Sequence, residues 1–107
     1  MVYVANSFSL QMVDPNKSHN IRVTPFSVAE VDVILYDREF VSCIGHVDTA
    51  AVVTSMLGKE VPCNRINVKL EKGDVLIVAQ LLGGRLPEGA TSLPEGFDIK
   101  FLHVSLS

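Results

Sequence analysis

One histidine stands where a helix is expected to begin. His46 lies in the segment Ile44–Ala50, with the sequence IGHVDTA, at the start of an apolar stretch with helical spacing. The free N–H groups and the dipole of a helix start favour anions, so a phosphate could dock there. An imidazole exchanges protons near neutral pH and can protonate the leaving oxygen of a phosphodiester. The alternative, which spacing alone favours, is a first-turn residue whose ring is merely hydrogen-bonded.

Two arginines and one carboxylate are further candidates for phosphate chemistry. Arg65 stands just before an expected strand and could hold a phosphate through two parallel hydrogen bonds. Arg85 and Glu88 share a loop rich in glycine and proline. There Arg85 could stabilise a phosphorane-like transition state, and Glu88 could orient Arg85 or a ribose hydroxyl. The alternatives are weak surface ion pairs. The loop lacks the G-x-x-x-x-G-K-[ST] pattern of a P-loop.

Polar residues also follow the first expected strand. Asn6 and Ser9 come soon after Val2–Ala5, and side chains just past a strand end often line a ligand site. Taken alone, this segment favours the alternative of a capped strand and a solvated turn. His19 is expected in a polar loop and His103 on the last strand. We expect no metal and no other cofactor, because no metal-ligand spacing links the aspartates Asp14, Asp32, Asp37 and Asp48.

The first half of the chain predicts two strands and two helices that position these residues. Val2–Ala5 is a short apolar run typical of a buried strand, and Ile21–Thr24 alternates and stops at Pro25. A capping box, Ser27 with Glu30, predicts a helix from Val28 to about Asp37. After the apolar link of residues 40–44, a second helix is expected from residues 45–46 to Gly58.

The second half predicts three strands. Ile66–Leu70 and Val75–Leu82 are expected to pair as a hairpin through a tight turn, with the second strand central. A Gly- and Pro-rich loop over Gly83–Gly96 leads to a last strand, Phe97–Leu106. The order β-β-α-α-β-β-β predicts an α/β (α+β) fold, with one mixed sheet of about five strands and two packed helices.

The composition limits the classes of function. The 107 residues suit one domain, residues 1–107, with a net charge of −3 that argues against binding to duplex DNA. Cys43 and Cys63 lack disulfide or metal spacing and are expected to be reduced core residues. We expect no membrane span, because no apolar run is long enough, and a cytoplasmic protein, because the N-terminus lacks the pattern of a signal peptide.

Several of these segments, in this order, resemble one known family. N-S-x-S at residues 6–9, I-G-H-x-x-T at residues 44–49, N-R-I at residues 64–66, K-L-E-K-x-D at residues 69–74, and Gln80 followed by R-L-P-E-G at residues 85–89 are similar to motifs of the viral type III anti-CRISPR ring nucleases. Relatives of these proteins occur in mobile elements and as host enzymes. The resemblance covers roughly residues 3 to 105, and residues 44–49 and 85–89 are its most specific parts.

The resemblance implies a homodimer that binds cyclic tetra-adenylate across its subunit interface, under flexible segments, and cuts it without a metal. By the same motifs, the catalytic histidine is His46, and Arg85 and Glu88 are the functional pair of the loop. The implied phosphate and base contacts are Asn6, Ser9, Arg65 and Gln80. Gly45 and Thr49, in the motif around His46, are further ligand-binding candidates. Pro94 and Gly96 break any helix after the loop, so we expect a short covering element.

The implied reaction is in-line attack by a ribose 2′-hydroxyl on its own phosphate, with His46 as general acid. Two symmetric sites would give two linear di-adenylates. Three alternatives stay open: a sponge that binds the ring without cutting it, a small viral nucleic-acid-binding regulator, and a module that blocks a protein partner. Mutation of His46 would change little in a sponge, and steep salt dependence with duplex DNA would mark the regulator.

Overall fold

The computed structural model describes all 107 residues. Its elements are β1 (Val2–Ala5), a 3-10 helix (Leu10–Met12), β2 (Ile21–Phe26), α1 (Val28–Leu35), β3 (Val41–Cys43), α2 (Val47–Leu57), β4 (Val75–Leu82) and β5 (Asp98–Leu106). The strands form one sheet in the order β2-β5-β4-β1-β3. Strand β1 pairs in parallel with β3 and β4, and β5 pairs antiparallel with β4 and β2. The expected mixed five-stranded sheet with two helices, and the central position of β4, are confirmed.

Both helices pack against one face of this sheet, where the larger hydrophobic core lies. The capping box at the start of α1 is formed: Ser27 Oγ accepts from the Glu30 N–H at 3.1 Å, and Glu30 accepts from the Ser27 N–H at 3.0 Å. Helix α1 ends at Leu35, two residues earlier than predicted. Helix α2 ends at Gly58, whose φ of 65° is the left-handed conformation expected there.

The opposite face of the sheet is covered by chain without regular structure, which corrects one prediction. Residues 66–70 form no strand and no hairpin with β4. The alternation there is real, because Val68 and Leu70 are buried while Asn67 and Lys69 are exposed. This segment is held instead by bonds to the 3-10 helix, with the Leu70 N–H donating to the Met12 carbonyl at 2.6 Å. The alternation of apolar and polar residues therefore marks a half-buried segment that has no strand partner.

Strand boundaries and pairings differ from the prediction in three further places. Val41–Cys43, expected as a link, is the edge strand β3, and it is placed by its parallel pairing with β1. Strand β2 continues through Pro25 to Phe26, which an edge strand tolerates because one side needs no N–H donor. The partner of β4 in the hairpin is β5, which begins at Asp98, and the loop between them contains no helix.

The exposure of the two cysteines and the length of the two helices bear on two further predictions. Both thiols are free, but Cys63 is exposed and so does not belong to the core, because it lies on the surface segment outside β3. Cys43 is half-buried, and burial raises the pKa of its thiol to about 11. Neither helix has the length and apolar content needed to cross a membrane.

Candidate functional site

The carboxyl ends of β1, β3 and β4 meet at one edge of the sheet. Ala5 pairs with Cys43, the last residue of β3, so the residues that follow β1 and β3 become neighbours, while β4 runs four residues beyond its pair with Ala5 at Val78. The side chain of Asn6 uses this proximity, because its Oδ1 accepts a hydrogen bond from the Gly45 N–H at 3.1 Å. Ligand sites in α/β sheets form at such carboxyl edges. This edge of the sheet is therefore the expected place for a ligand site.

Arg65 reaches the same edge from the segment that runs beside β3. Cys63 forms a parallel bridge with Ile44, and the Asn64 N–H donates to the Ile44 carbonyl at 2.8 Å. The Nε of Arg65 then donates to the Gly45 carbonyl at 2.7 Å. A Cβ at Gly45 would lie only 3.4 Å from Cγ of Arg65, so the arginine stem lies directly against this glycine. Gly45 is thus held by Asn6 through its N–H and by Arg65 through its carbonyl.

A cleft of about 420 Å³ opens beside this network at the start of α2. It gathers His46, Arg65 and Arg85, all exposed, around the first turn of the helix. The whole lining comprises Gly45, His46, Val47, Asp48, Thr49, Cys63, Arg65, Leu81, Arg85 and Leu86. His46 is the N-cap residue, but its side chain makes no capping hydrogen bond. The imidazole is therefore not used by the helix and can meet a ligand.

The glycine-rich loop (residues 83–97) brings Arg85 to the cleft. Leu86 is buried and anchors the loop in the core on the helix side of the sheet. Pro87 to Ala90 form a β-turn, in which the Ala90 N–H donates to the Pro87 carbonyl at 3.1 Å and Gly89 has φ 79°. The Gly89 N–H donates to Oδ1 of Asp48 at 3.0 Å, and this bond connects the turn to α2.

Four predicted site residues do not line this cleft in one copy of the chain, and only one of them, Asn6, adjoins it through Gly45. Glu88 is exposed at the tip of the turn and forms no ion pair with Arg85. Ser9 caps the 3-10 helix by accepting from the Gln11 N–H at 3.2 Å and borders a different cleft. Gln80 is exposed on β4 opposite Lys100, and strand alternation directs it away from its neighbour Leu81, which does line the cleft. The structure brings together His46, Arg65, Arg85, Gly45 and Thr49, with Asn6 adjoining through Gly45.

Two residues of the cleft with chemically reactive side chains were not predicted as site residues. Asp48 and Cys63 both line it. Asp48 could have been found from its place in the first turn of the predicted helix, two residues after His46. For Cys63 the sequence offers no signal, because its position depends on the bridge to Ile44. The charged groups of the cleft are two guanidinium groups and one carboxylate, so its balance is positive although the chain is acidic.

Three larger clefts lie elsewhere on the surface. The largest, about 570 Å³, contains lysines together with Asp14 and Glu71. The second, about 520 Å³, lies between the 3-10 helix and residues 66–69. The third, about 450 Å³, lies beside β3 and contains Arg38 with Glu39 and Glu60. None of the three combines an imidazole with arginines and a free helix start, and the cleft at the start of α2 therefore has the stronger chemical case. No group of three or more His, Cys, Asp and Glu side chains is arranged to hold a metal ion.

Comparison with known proteins supplies relatives of this chain. The STIV B116-like family model matches residues 2–100. Uncharacterized protein 26 of Sulfolobus islandicus filamentous virus (isolate Iceland/Hveragerdi) is 35% identical over 89 residues, which are 83% of this chain and 74% of that protein. Uncharacterized protein ORF117 of Acidianus two-tailed virus is 32% identical over 89 residues, 83% of this chain and 75% of its own length. The solved structure of B116 of Sulfolobus turreted icosahedral virus superposes with a TM-score of 0.78 at 25% identity, covering 97% of each chain.

Proposed function

Because this chain belongs to the STIV B116-like family of archaeal virus proteins, we propose that it is a metal-independent ring nuclease acting on cyclic tetra-adenylate. The products are linear di-adenylates, and the reaction would end a second-messenger signal of type III CRISPR defence in the cytoplasm of the host cell. The observation that carries the proposal is the cleft that joins His46, Arg65 and Arg85 at the start of α2.

The proposed chemistry needs no group beyond the ring and the protein. A ribose 2′-hydroxyl attacks the adjacent phosphorus, and the bond from phosphorus to the 5′-oxygen breaks. The 2′-hydroxyl proton leaves to solvent, and the departing 5′-oxygen takes a proton from His46. One product end is a 2′,3′-cyclic phosphate and the other is a 5′-hydroxyl. Arg85 stabilises the charge on the non-bridging oxygens as the pentavalent transition state forms.

Two copies of the chain would share one ring. A ring of four nucleotides is larger than a cleft of about 420 Å³, so one cleft would accept only part of it. A homodimer would carry a net charge of −6, twice the −3 of one chain, yet two clefts would present four guanidinium groups to four phosphates. The start of α2 adds free N–H groups to each cleft. This focusing of positive charge favours a small anionic ligand over duplex DNA.

The remaining site residues would act according to their positions. The Nε of Arg65 is used by Gly45, which leaves its terminal N–H groups for a phosphate. Asn6 acts through Gly45 by fixing the backbone in front of His46. Thr49 is buried beneath the first turn and shapes the floor of the cleft. For Glu88, Ser9 and Gln80, which lie outside one cleft, we propose contacts with the parts of the ring that extend beyond it, including ribose alignment by Glu88.

The test is cleavage of cyclic tetra-adenylate in excess EDTA by the wild type and by His46→Ala. We expect linear di-adenylate from the wild type and a rate loss of about 10² or more in the variant, because a general acid contributes that much. His19→Ala is the matched control: His19 bonds the Asp14 carbonyl in another part of the surface, and its loss should change the rate less than about twofold.

Each other result has a definite meaning. If the wild type binds the ring but leaves it intact, the protein is a sponge and the enzymatic proposal is wrong. If it binds duplex DNA with a steep salt dependence and ignores the ring, it is a nucleic-acid-binding regulator. Equal rates for the wild type and His46→Ala would remove His46 from the mechanism.

A further inference from the structure

Asp48 connects the two parts of the cleft that the proposed reaction must bring together. It is the second residue of α2, directly after Val47 and two residues beyond His46. Its Oδ1 accepts from the Gly89 N–H, the amide that follows Glu88, at 3.0 Å. One carboxylate thus joins the helix start that holds the imidazole to the turn that follows Arg85.

Few other contacts hold this turn. Leu86 is buried on one side of it, and Ser55 Oγ donates to the Thr91 carbonyl at 3.0 Å on the other. Between these two anchors, Ala90 packs against the hydrophobic core, and the bond to Asp48 is the hydrogen bond that joins the turn to α2. The bond is solvent-exposed, so the turn can leave the helix at the cost only of this bond and of the partly buried contact of Ala90.

Asp48 is favoured in the first turn of a helix, but in this cleft its charge opposes an anionic ligand. It lines the same cleft as Arg65 and Arg85, where it would repel a phosphate and offset part of the positive charge. Its charge therefore works against the proposed ligand, whereas its acceptor oxygen has a definite partner. The charge of Asp48 and its acceptor oxygen therefore have opposite expected effects, and each can be tested separately.

We infer that Asp48 is a positioning residue, which acts through its acceptor oxygen to hold the Pro87–Ala90 turn, directly after Arg85 and Leu86, over the start of α2. The inference rests on the proposed function for its catalytic meaning. When the bond is formed, Arg85 and His46 face the same phosphate. When it breaks, the turn moves as a short flap hinged at Leu86 and Thr91, and Arg85, which directly precedes the Leu86 hinge, loses its alignment.

The experiment compares Asp48→Ala, which removes the acceptor and the charge, with Asp48→Asn, which removes only the charge. Glu60→Ala is the control for a change in net charge, because Glu60 is exposed beyond the end of α2. Hydrogen exchange at the Gly89 amide is measured first without any ligand. We expect faster exchange in Asp48→Ala, and wild-type exchange in Asp48→Asn and Glu60→Ala, with thermal midpoints that stay close to the wild type.

Single-turnover cleavage of cyclic tetra-adenylate is measured second. For Asp48→Ala we expect a rate loss between about tenfold and a hundredfold, because small misplacements of a catalytic group have effects of this size. Asp48→Asn should keep the wild-type rate and bind the ring more tightly, since the repulsion is gone. A structural role alone would not produce this split between rate and affinity.

The outcomes separate this inference from the proposed function. An unchanged Gly89 exchange rate in Asp48→Ala would overturn the inference whether or not the protein cuts the ring. If Asp48→Asn loses as much rate as Asp48→Ala, the charge matters and the positioning role is wrong. If the wild type cuts no ring while Gly89 responds as expected, the proposed function fails and the loop contact stands.

Discussion

The two arginines of the cleft are held in opposite ways. Arg65 follows a segment that is bridged to β3, and its own Nε is bonded to the Gly45 carbonyl. Arg85 makes no hydrogen bond within the chain and extends from a loop tied to α2 by exposed bonds at Asp48 and Ser55. The strand side of the cleft therefore forms with the fold. The loop side can rearrange while the sheet stays intact, which suits a group needed only during the reaction.

The largest expected effect on stability is at the neck of the glycine-rich loop, where Gly83 directly follows β4 and lies against Gly96 and Phe97. Gly83 has φ 108°, and a Cβ there would lie 2.6 Å from the Gly96 carbonyl oxygen and 2.9 Å from Cα of Phe97. Both neighbours are backbone, so Gly83→Ala should lower the free energy of unfolding by about 3 kcal/mol. Gly84→Ala is the matched control: its φ is 119° but nothing lies within 4 Å, so only the backbone cost of about 1–2 kcal/mol applies. Urea unfolding measures both, and equal losses would mean that the neck is not tight.

On the strand side of the cleft, we expect a smaller loss of stability when a hydrogen-bond partner is removed. Asn6→Ala leaves the partly buried Gly45 N–H without its acceptor and should lower the free energy of unfolding by about 1–2 kcal/mol. Asn6→Asp keeps an acceptor oxygen, so its stability should stay within about 0.5 kcal/mol of the wild type. The added negative charge should nevertheless weaken binding of cyclic tetra-adenylate. Chemical denaturation and ligand titration test the pair, and a fully stable Asn6→Ala would show that this side does not depend on the bond.

Labelling of the cysteines gives the smallest expected effect on stability, because attaching a label to an exposed thiol disturbs no packing. Burial raises the pKa of Cys43 to about 11, so at pH 8 almost all of it is the unreactive thiol, whereas Cys63 is exposed. Iodoacetamide at pH 8 should add one label per folded chain, at Cys63, and a second only after denaturation. Mass spectrometry of the digested protein locates the labels. Cys43 reacting as fast as Cys63 would mean that the strand edge opens readily.

The sequence could predict those helices and strands whose position depends on residues close to them in the chain. The Ser27–Glu30 capping box predicted the start of α1, and Gly58 predicted the end of α2. The long apolar run of β4 predicted a central strand, because both of its faces are covered. These signals act within a few residues, and no distant partner can overrule them easily.

The secondary-structure predictions that were wrong concern segments whose structure depends on residues far away in the sequence. Val41–Cys43 is too short to be recognised by its pattern and becomes a strand only beside β1. Residues 66–70 alternate like a strand but lie over the sheet face, and their backbone partners are in the 3-10 helix. Pro25 was expected to end β2, yet it lies on an edge where its missing N–H costs nothing.

The candidate site shows the same division. Spacing predicted His46 at a helix start, and the structure has it as the N-cap residue of α2. The contacts of Gly45 with Asn6 and Arg65 join residues 39 and 20 positions apart, which no local pattern could indicate. The link between Asp48 and Gly89 spans 41 positions and was missed for the same reason.

The parallel pairing of β1 with β4 has a consequence for how the chain acquires its structure. The bond between the N-terminal amine and Asp74 at the start of this pair joins residues 73 positions apart. Contacts of such long sequence separation close late and slow folding, whereas the β4–β5 hairpin and α2 depend on nearer partners. During synthesis the apolar residues of β1 leave the ribosome long before β4 exists to cover them. We therefore expect the pairing of β1 with β4 to close after the nearer pairings of β1 with β3 and of β4 with β5, and the edge that carries the cleft is complete only when it has closed.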